Sequence, residues 1–420
     1  MIASRLRRLL GLIAATGLFA FCGPGAWAQT VSPLLSPNHP VGWWFAYKFN
    51  AGSFPTPLPG PGPCAFGGQP QSYAMSLRYV TANSENPTLQ DGAGLIGASQ
   101  NDPLGATFSE IYNGKVYFVA WNDQFLTSPA MHKPGCSQQG CSSPWGHSKG
   151  IVAWDKHGNG VMLQVTTPAW PASGSAGTPR PGGNTLGCMA DKNNVTNAQH
   201  FFALALSHDD VAAVLKGLAR ASVATDVTNP QIAGRLVDGT PGPQDLDALV
   251  TALGQDRPST DADFIDATLS SGVRLLVKPS ALHVPPWQFV SARLGVPLRT
   301  ATWWTTPKIA TTAAGQAIGC WSASIGGEQQ GVQIATSGHW NSVAINLKGP
   351  PNHGKIGVST DANHPYTILG DLNQQGELAD PEGKCDASQN GRGGMFFVLE
   401  NADLIKGVTA LIDGDTAAGM

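Results

Sequence analysis

"WGHSKGIVAWD" (residues 145–155) sets His147 two places before Lys149, follows them with apolar Ile151, Val152 and Ala153, and closes on Asp155. In an extended strand, residues i and i+2 share a face. His147 and Lys149 would then point together into a cleft, with Ile151 and Ala153 continuing that face and Trp154 on the other. Alone the motif is weak. With 10 His and 25 Lys plus Arg in 420 residues, a basic residue two places after a histidine is expected about 0.6 times by chance. Its weight comes from "HGKIGVSTD" (353–361), where His353, Lys355 and Asp361 stand at the same offsets.

Each motif precedes the same kind of unit. Phe201, 54 residues after His147, opens "FFALALSHDDVAAVLKGLARA", and Phe396, 43 residues after His353, opens "FFVLENADLIKGVTALIDG". Both read as a short apolar strand, a polar cap and an amphipathic helix. In the first, Ser207 is the expected N-cap, Asp209 and Asp210 suit the positive helix end, and Val211, Val214, Leu215 and Leu218 form the stripe. In the second, Asn401 caps, and Leu404, Val408 and Leu411 supply the stripe. This repeated order predicts two related halves, residues 29–228 and 229–420, each giving one His and one Lys to a shared centre.

The N-terminus sets the compartment. Residues 1–28 carry Arg5, Arg7 and Arg8, an apolar stretch and small residues at Ala26 and Ala28, the pattern of a signal peptide. Cleavage after Ala28 and a secreted or periplasmic chain are expected. Lipid attachment at Cys22 is disfavoured by Phe21, which stands where a small residue is needed. No later segment offers about 18 uninterrupted apolar residues, so no membrane partner is expected. Cleavage removes three arginines and no acids, taking the formal charge from −3 to −6. A polyanion must therefore be held by a local basic groove, not by the global field.

Six cysteines remain: Cys64, Cys136, Cys141, Cys188, Cys320 and Cys385. An even count in an oxidising compartment suggests up to three disulfides, and Cys136 with Cys141 is the favoured pair because it closes a small loop. Zinc is not expected, since no second Cys or His pair completes a site. The stretches at 51–70 and 167–184 are rich in Pro and Gly and read as loops. With only 13% charged residues and 51 Gly, the mature 392 residues look like a loop-rich exported globule.

Two histidines can divide the cleavage of a phosphodiester. One, neutral, attacks phosphorus, and the other, protonated, hands a proton to the leaving oxygen. Lys149 and Lys355 would hold the non-bridging oxygens and stabilise the pentacovalent transition state. This chemistry calls for no metal and no cofactor. Gly146, Gly150, Gly354 and Gly357 flank the motifs and are expected to let backbone and substrate approach closely.

"HSKG" and "HGKIGVS", with "PVGWWFAYK" at 40–48, "WNDQ" at 121–124 and "GDLNQQGE" at 370–377, resemble the deoxyribonuclease II family. The resemblance runs in order from about residue 40 to the C-terminus. That family looks like a branch of the phospholipase D superfamily, with a His-x-Lys in each half and an Asn-containing turn after one or both. The resemblance implies an α/β (α+β mixed) fold, a phospholipase D-like pseudo-dimer of two α/β/α half-domains, each with a mixed β-sheet. It also implies a metal-independent acid endonuclease that leaves 3'-phosphate and 5'-hydroxyl ends through a phosphohistidine. His147 as nucleophile and His353 as acid follow by superfamily analogy.

Asn373 of "GDLN" is carried over as a phosphate-site helper, Asp371 of the same turn is expected to bind substrate, and Asn122, Asp123 and Gln124 form a polar strand end expected near the substrate. Animal members carry a further histidine where this chain has Gln164 in "VMLQVTTP". Gln164 hydrogen-bonds but does not titrate, which places any proton role of that histidine in doubt. The remaining histidines, among them His132, His157, His200, His208, His283 and His339, read as surface or structural groups. His364 in "NHPY" is the one to watch, since it lies between His353 and Asn373. The expected partner is DNA; a homodimer is compatible with the sequence, and nothing in it requires one. A lipid phosphodiesterase using the same pairs, or a silent exported protein that binds DNA or cell wall, are the rival readings.

Overall fold

The apolar strands and capped helices organise two large sheets. The computed structural model describes residues 31–54, 77–124, 133–137, 140–168, 170, 174–175, 178–179, 196–228, 232–234, 241–254 and 257–419. The signal-peptide reading, Cys64, Cys188, His132 and most of the two Pro/Gly-rich stretches lie outside the described residues. Val31 to Met420 belong to one compact unit.

The first sheet is built from β1 (Trp43–Lys48), β2 (Tyr79–Asn83), β3 (Gln90–Asp91), β4 (Tyr117–Asn122), β5 (Lys149–Trp154), β6 (Gly160–Val165), β7 (Gln199–Leu206) and β8 (Ala233–Gly234). Their order is β8-β4-β5-β6-β7-β1-β2-β3. The second contains β9 (Ile265–Thr268), β10 (Arg274–Lys278), β11 (Leu298–Ala301), β12 (Val332–Ile334), β13 (Ile356–Ser359), β14 (Tyr366–Gly370) and β15 (Gly394–Glu400), ordered β9-β10-β15-β14-β13-β11-β12. Four consecutive strands of one sheet, β4-β5-β6-β7, match β11-β13-β14-β15 of the other in order, β1-β2 and β10-β9 extend the two runs with the chain order of the pair reversed, and every pairing within both runs is antiparallel. Each His-x-Lys stands at the head of a corresponding strand, β5 or β13.

A mixed sheet in each half is not what the strands form. Every pairing described in the first sheet is antiparallel, and the second is mixed through β11 and β12 alone, which run parallel. The reason is the connection: antiparallel neighbours can follow a tight turn, whereas parallel ones need a long crossover, here residues 302–331.

Period-two alternation sorts the side chains. On the outer face of the first sheet Trp44, Ile151, Ala153, Leu163 and Phe201 pack with Leu104, Phe108 and Ile111 of α1 (Pro103–Asn113). On its inner face Val152, Trp154, Phe202 and Leu204 meet Val277, Met395 and Phe397 of the second sheet, together with α2 (His208–Arg220). Beyond α2 come α3 (Gln244–Leu253), which packs on it, and α4 (Pro286–Leu294), whose Trp287, Phe289 and Val290 cover the outer face of the second sheet. Finally α5 (Ala402–Ala410) sets Leu404 and Val408 in the central core. Ile151 and Ala153 thus share one face and Trp154 the other, as the alternation demands.

The helix starts follow their caps. Ser207 and Asp210 form a capping box, and Val211, Val214, Leu215 and Leu218 are buried. Asn401 accepts from the N–H groups of Asp403 and Leu404. Asp210 also accepts from Ser270, joining α2 to the turn between β9 and β10. Ser207→Ala is expected to lower stability by about 1 kcal/mol, read as a lower urea midpoint with unchanged slope; an unchanged midpoint would show that the cap contributes nothing.

Cys136–Cys141 is a disulfide, as the small loop suggested, and Cys320–Cys385 is a second, linking the crossover to the segment before β15. The repeated aspartates have local work. Asp155 Oδ1 accepts from the N–H groups of His157 and Asn159 in the β5–β6 turn, and Asp361 Oδ1 accepts from Asn363 N–H in the β13–β14 turn.

Candidate active site

The two motifs meet because each is pinned to a segment leading into the other sheet. His147 N–H donates to Gly393 C=O (2.8 Å), just before β15, and His353 N–H donates to Ala198 C=O (2.9 Å), just before β7. Those acceptors occupy equivalent places in matched strands, so one topological feature brings both histidines to the junction of the sheets. All four side chains, His147, Lys149, His353 and Lys355, are buried.

The surroundings of the two histidines differ. His147 Nδ1 lies 3.0 Å from the Asp371 carbonyl oxygen. A carbonyl only accepts, so Nδ1 carries the proton and Nε2 keeps its lone pair. Nε2 lies 4.0 Å from Asp123 Oδ2. Asp123 also accepts from Lys149 Nζ and, at 2.8 Å, from Arg392 Nη2. Burial would raise the Asp123 carboxyl, but Lys149, His147 and Arg392 more than reverse this and hold it well below the carboxylate range.

His353 has no such carboxylate among its principal electrostatic influences. Asn197 Nδ2 lies 3.1 Å from its Nε2, Gln199 Nε2 lies 3.4 Å from its Nδ1, and the Trp303 indole stacks on the ring at 4.9 Å between centroids. Lys355 Nζ donates to the His353 carbonyl at 2.7 Å. Burial first, then lysines, hold both histidines well below the ordinary value: Lys149 for His147, and Lys355, Lys149 and Lys48 for His353. Burial, with Lys149 next, likewise lowers the Lys355 ammonium. Lys149, Lys355 and Arg392 gather around the histidines with Asp123 as the carboxylate that pairs with two of them, Lys149 and Arg392, and this excess of cations suits an anion.

A hydrogen-bonded chain joins the second motif to the first histidine. Lys355 N–H donates to His200 Nδ1 (3.1 Å), His200 Nε2 lies 3.3 Å from Gln164 Oε1, and Gln164 Nε2 donates to Asp371 Oδ1 (2.8 Å). The Asp371 carbonyl then receives His147. Gln164 is therefore a fixed bridge. Burial, then Lys355, pushes His200 down to about 3, so it serves as a neutral strut. Asp371 is pushed up to about 6 by burial, against hydrogen bonds from Ser148, Met395 N–H and Gln164.

The other expected site residues divide. Asp123 stands in the centre of the first cluster. Asn122 turns away: its amide donates to the carbonyls of Thr167 (3.2 Å) and Trp170 (2.8 Å), and its Oδ1 accepts from Gln124 N–H (2.7 Å). It shapes the loop, and Gln124 is held by it. Asp371 meets His147 through its backbone. Asn373 Nδ2 donates to Gln375 Oε1 (2.9 Å), whose own amide donates to Thr305, and Asn373 Oδ1 is buried without a partner among the described residues. Asn373 is thereby tied to the segment carrying Trp303.

His364 does not join the site. It is exposed at the far end of the β13–β14 hairpin, paired with Asp361 at 2.8 Å. The glycines flanking the motifs are required by packing inside the protein. A Cβ on Gly150 would lie 2.5 Å from the Trp121 ring, one on Gly357 2.5 Å from Trp287, one on Gly146 2.4 Å from Ala221 O, and one on Gly354 3.1 Å from Tyr47. Asn197, Gln199, Arg392 and Trp303 were not foreseen, and His200 was expected as a structural group, which its hydrogen bonds to Lys355 and Gln164 make it. The repeat held a signal for four of these five: Asn197, Gln199 and His200 immediately precede Phe201, and Arg392 precedes Phe396, where the halves cross.

Among the described residues, no helix is long and apolar enough to cross a membrane. Comparison with curated proteins finds no match. The family model for deoxyribonuclease II matches residues 33–414, nearly the whole chain. The chain therefore belongs to the deoxyribonuclease II family, a deoxyribonuclease and hydrolase whose substrate is DNA.

Proposed function

We propose that the protein is an exported, metal-independent acid endodeoxyribonuclease in which residues 1–28 are removed after Ala28. The two halves, 29–228 and 229–420, act as a phospholipase D-like pseudo-dimer sharing one active site. The observation that carries the chemical assignment is the hydrogen bond from His147 Nδ1 to the Asp371 carbonyl (3.0 Å), because it leaves Nε2 as the free nucleophile.

His147 Nε2 attacks phosphorus, and the P–O5' bond breaks as His353 protonates the departing 5'-oxygen. The phosphohistidine keeps the 3'-linked strand. Water, deprotonated by His353, then attacks phosphorus and returns the electron pair to His147, leaving a 3'-phosphate and a 5'-hydroxyl. Lys149 and Lys355 hold the non-bridging oxygens throughout.

The pH dependence follows in sign. In the empty site burial and lysines keep both histidines neutral near neutral pH, yet the acid must carry a proton. Bound phosphate favours that charged form. Activity should rise as pH falls and the pair takes up its first proton, then decline as it takes up the second, giving a bell on the acid side whose limbs belong to the pair.

Supercoiled DNA incubated in EDTA at about pH 5 should be nicked, and the new 3' ends should resist polymerase extension until a phosphatase is added. Activity flat between about pH 4 and 9, or lost on chelation, would overturn the mechanism.

A further inference from the structure

Lys48 and Lys278 end β1 and β10, which hold matching places in the two sheets. Both are buried. Lys48 Nζ donates to the carbonyls of Asn197 and Phe49; Lys278 Nζ donates to those of Arg392 (2.9 Å), Asn390 (2.7 Å) and Pro279 (3.3 Å). The registers make these contacts equivalent. Lys48 pairs with Gln199 and Lys278 with Gly394, so Asn197 and Arg392 each lie two residues before the partner of a lysine.

What those clamped residues do is also parallel. The residue after each supplies the carbonyl that receives a histidine N–H: Ala198 for His353 and Gly393 for His147. Their side chains act on the same histidines. The Asn197 amide meets His353 Nε2 at 3.1 Å. The Arg392 guanidinium donates to the carbonyls of Trp145 (2.9 Å) and Gly146 (2.8 Å) and to the Asp123 carboxylate beside His147. Burial lowers each ammonium to about 7, so both are charged at acid pH. A charged donor to a carbonyl is roughly twice as strong as a neutral one.

We propose that Lys48 and Lys278 are paired positioning residues, each fixing the crossing segment that orients one histidine: Lys48 for His353 and Lys278 for His147. The assignment of distinct steps to the two lysines rests on the division of labour proposed above. Loss of Lys48 impairs protonation of the leaving oxygen, and loss of Lys278 impairs attack.

Two substrates separate these steps. An ordinary DNA oligonucleotide expels an alkoxide that needs a proton, whereas an oligonucleotide ending in a 3'-(4-nitrophenyl phosphate) expels nitrophenolate without one. Read as single-turnover release of the leaving group, before hydrolysis of the phosphohistidine calls on His353 as base, His353→Ala is expected to lose about 10²- to 10⁴-fold on DNA and under about ten-fold on the nitrophenyl ester. Lys48→Met should show the same selective rescue in smaller measure. Lys278→Met, like His147→Ala, should lose activity on both substrates alike.

Equal losses from both lysine variants on both substrates, beside a rescued His353→Ala, would overturn the proposal while leaving the histidine roles intact. A His353→Ala variant that is not rescued would instead overturn the division of labour. The proposal then stands only if each lysine variant still follows its own histidine, and it falls if either departs. Should a methionine variant fail to fold, the same comparison is read on Lys48→Arg and Lys278→Arg, which keep the charge and displace the donor, with the same pattern expected.

Discussion

His147→Ala is expected to abolish nicking of supercoiled DNA in EDTA at about pH 5, a loss on the order of 10⁴-fold or more, because no covalent route remains without the nucleophile. His353→Ala should be the lesser lesion, on the order of 10²- to 10⁴-fold, because a general acid lowers a barrier that can still be crossed without it. The asymmetry arises in the surroundings. His147 has its proton pinned on Nδ1 by the Asp371 carbonyl, while His353 is held by amides and an indole. Phosphohistidine trapped by alkaline denaturation should be found in wild type at residue 147 and be absent from His147→Ala. A phosphorylated His353 in its place would reverse the two roles.

Asp123→Ala is the second large effect, and it falls on stability first. The carboxylate pairs with two cations, Lys149 and Arg392, whose side chains are 3% and 11% exposed. Removing it leaves both without their counterion, and breaking a buried pair of this kind costs about 3–5 kcal/mol. The pH window follows from the shift. A carboxyl whose folded value is depressed contributes stability above its unfolded value, near about 4, and loses it only as pH falls through the lower folded value. Since Asp123 is held below the carboxylate range, its ion pairs persist at the acid pH where the enzyme is proposed to work. Urea denaturation at neutral pH and at about pH 5 should show the Asp123→Ala penalty at both. A penalty that vanished by about pH 5 would mean the carboxylate is not held as described.

Local pattern made much of this molecule legible. Ser207 and Asn401 were readable as caps because an N-cap acts on N–H groups two or three residues away. The buried stripes of α2 and α5 were readable because a helix repeats its face every three or four residues. The two His-x-Lys strands were readable as a pair because spacing and order repeat. Asn122 shows the ambiguity of local pattern: a polar residue at a strand end is equally suited to a substrate and to holding its own loop, and its amide is engaged by the carbonyls of Thr167 and Trp170. His364 lay close to His353 in sequence, but the hairpin turns it to the opposite end.

The sequence by itself determined that there are two motifs, the strands that carry them and the helices that follow, since each is encoded within a few turns of chain. The active-site surroundings belong to tertiary structure alone. His147 meets Asp371 across 224 residues, His353 meets Asn197 across 156, and Arg392 meets Asp123 across 269. No periodicity spans such separations. They are set by matched sheets packing through Phe202, Met395 and Phe397 around α2 and α5, and that packing decides which histidine faces a carbonyl and which faces amides.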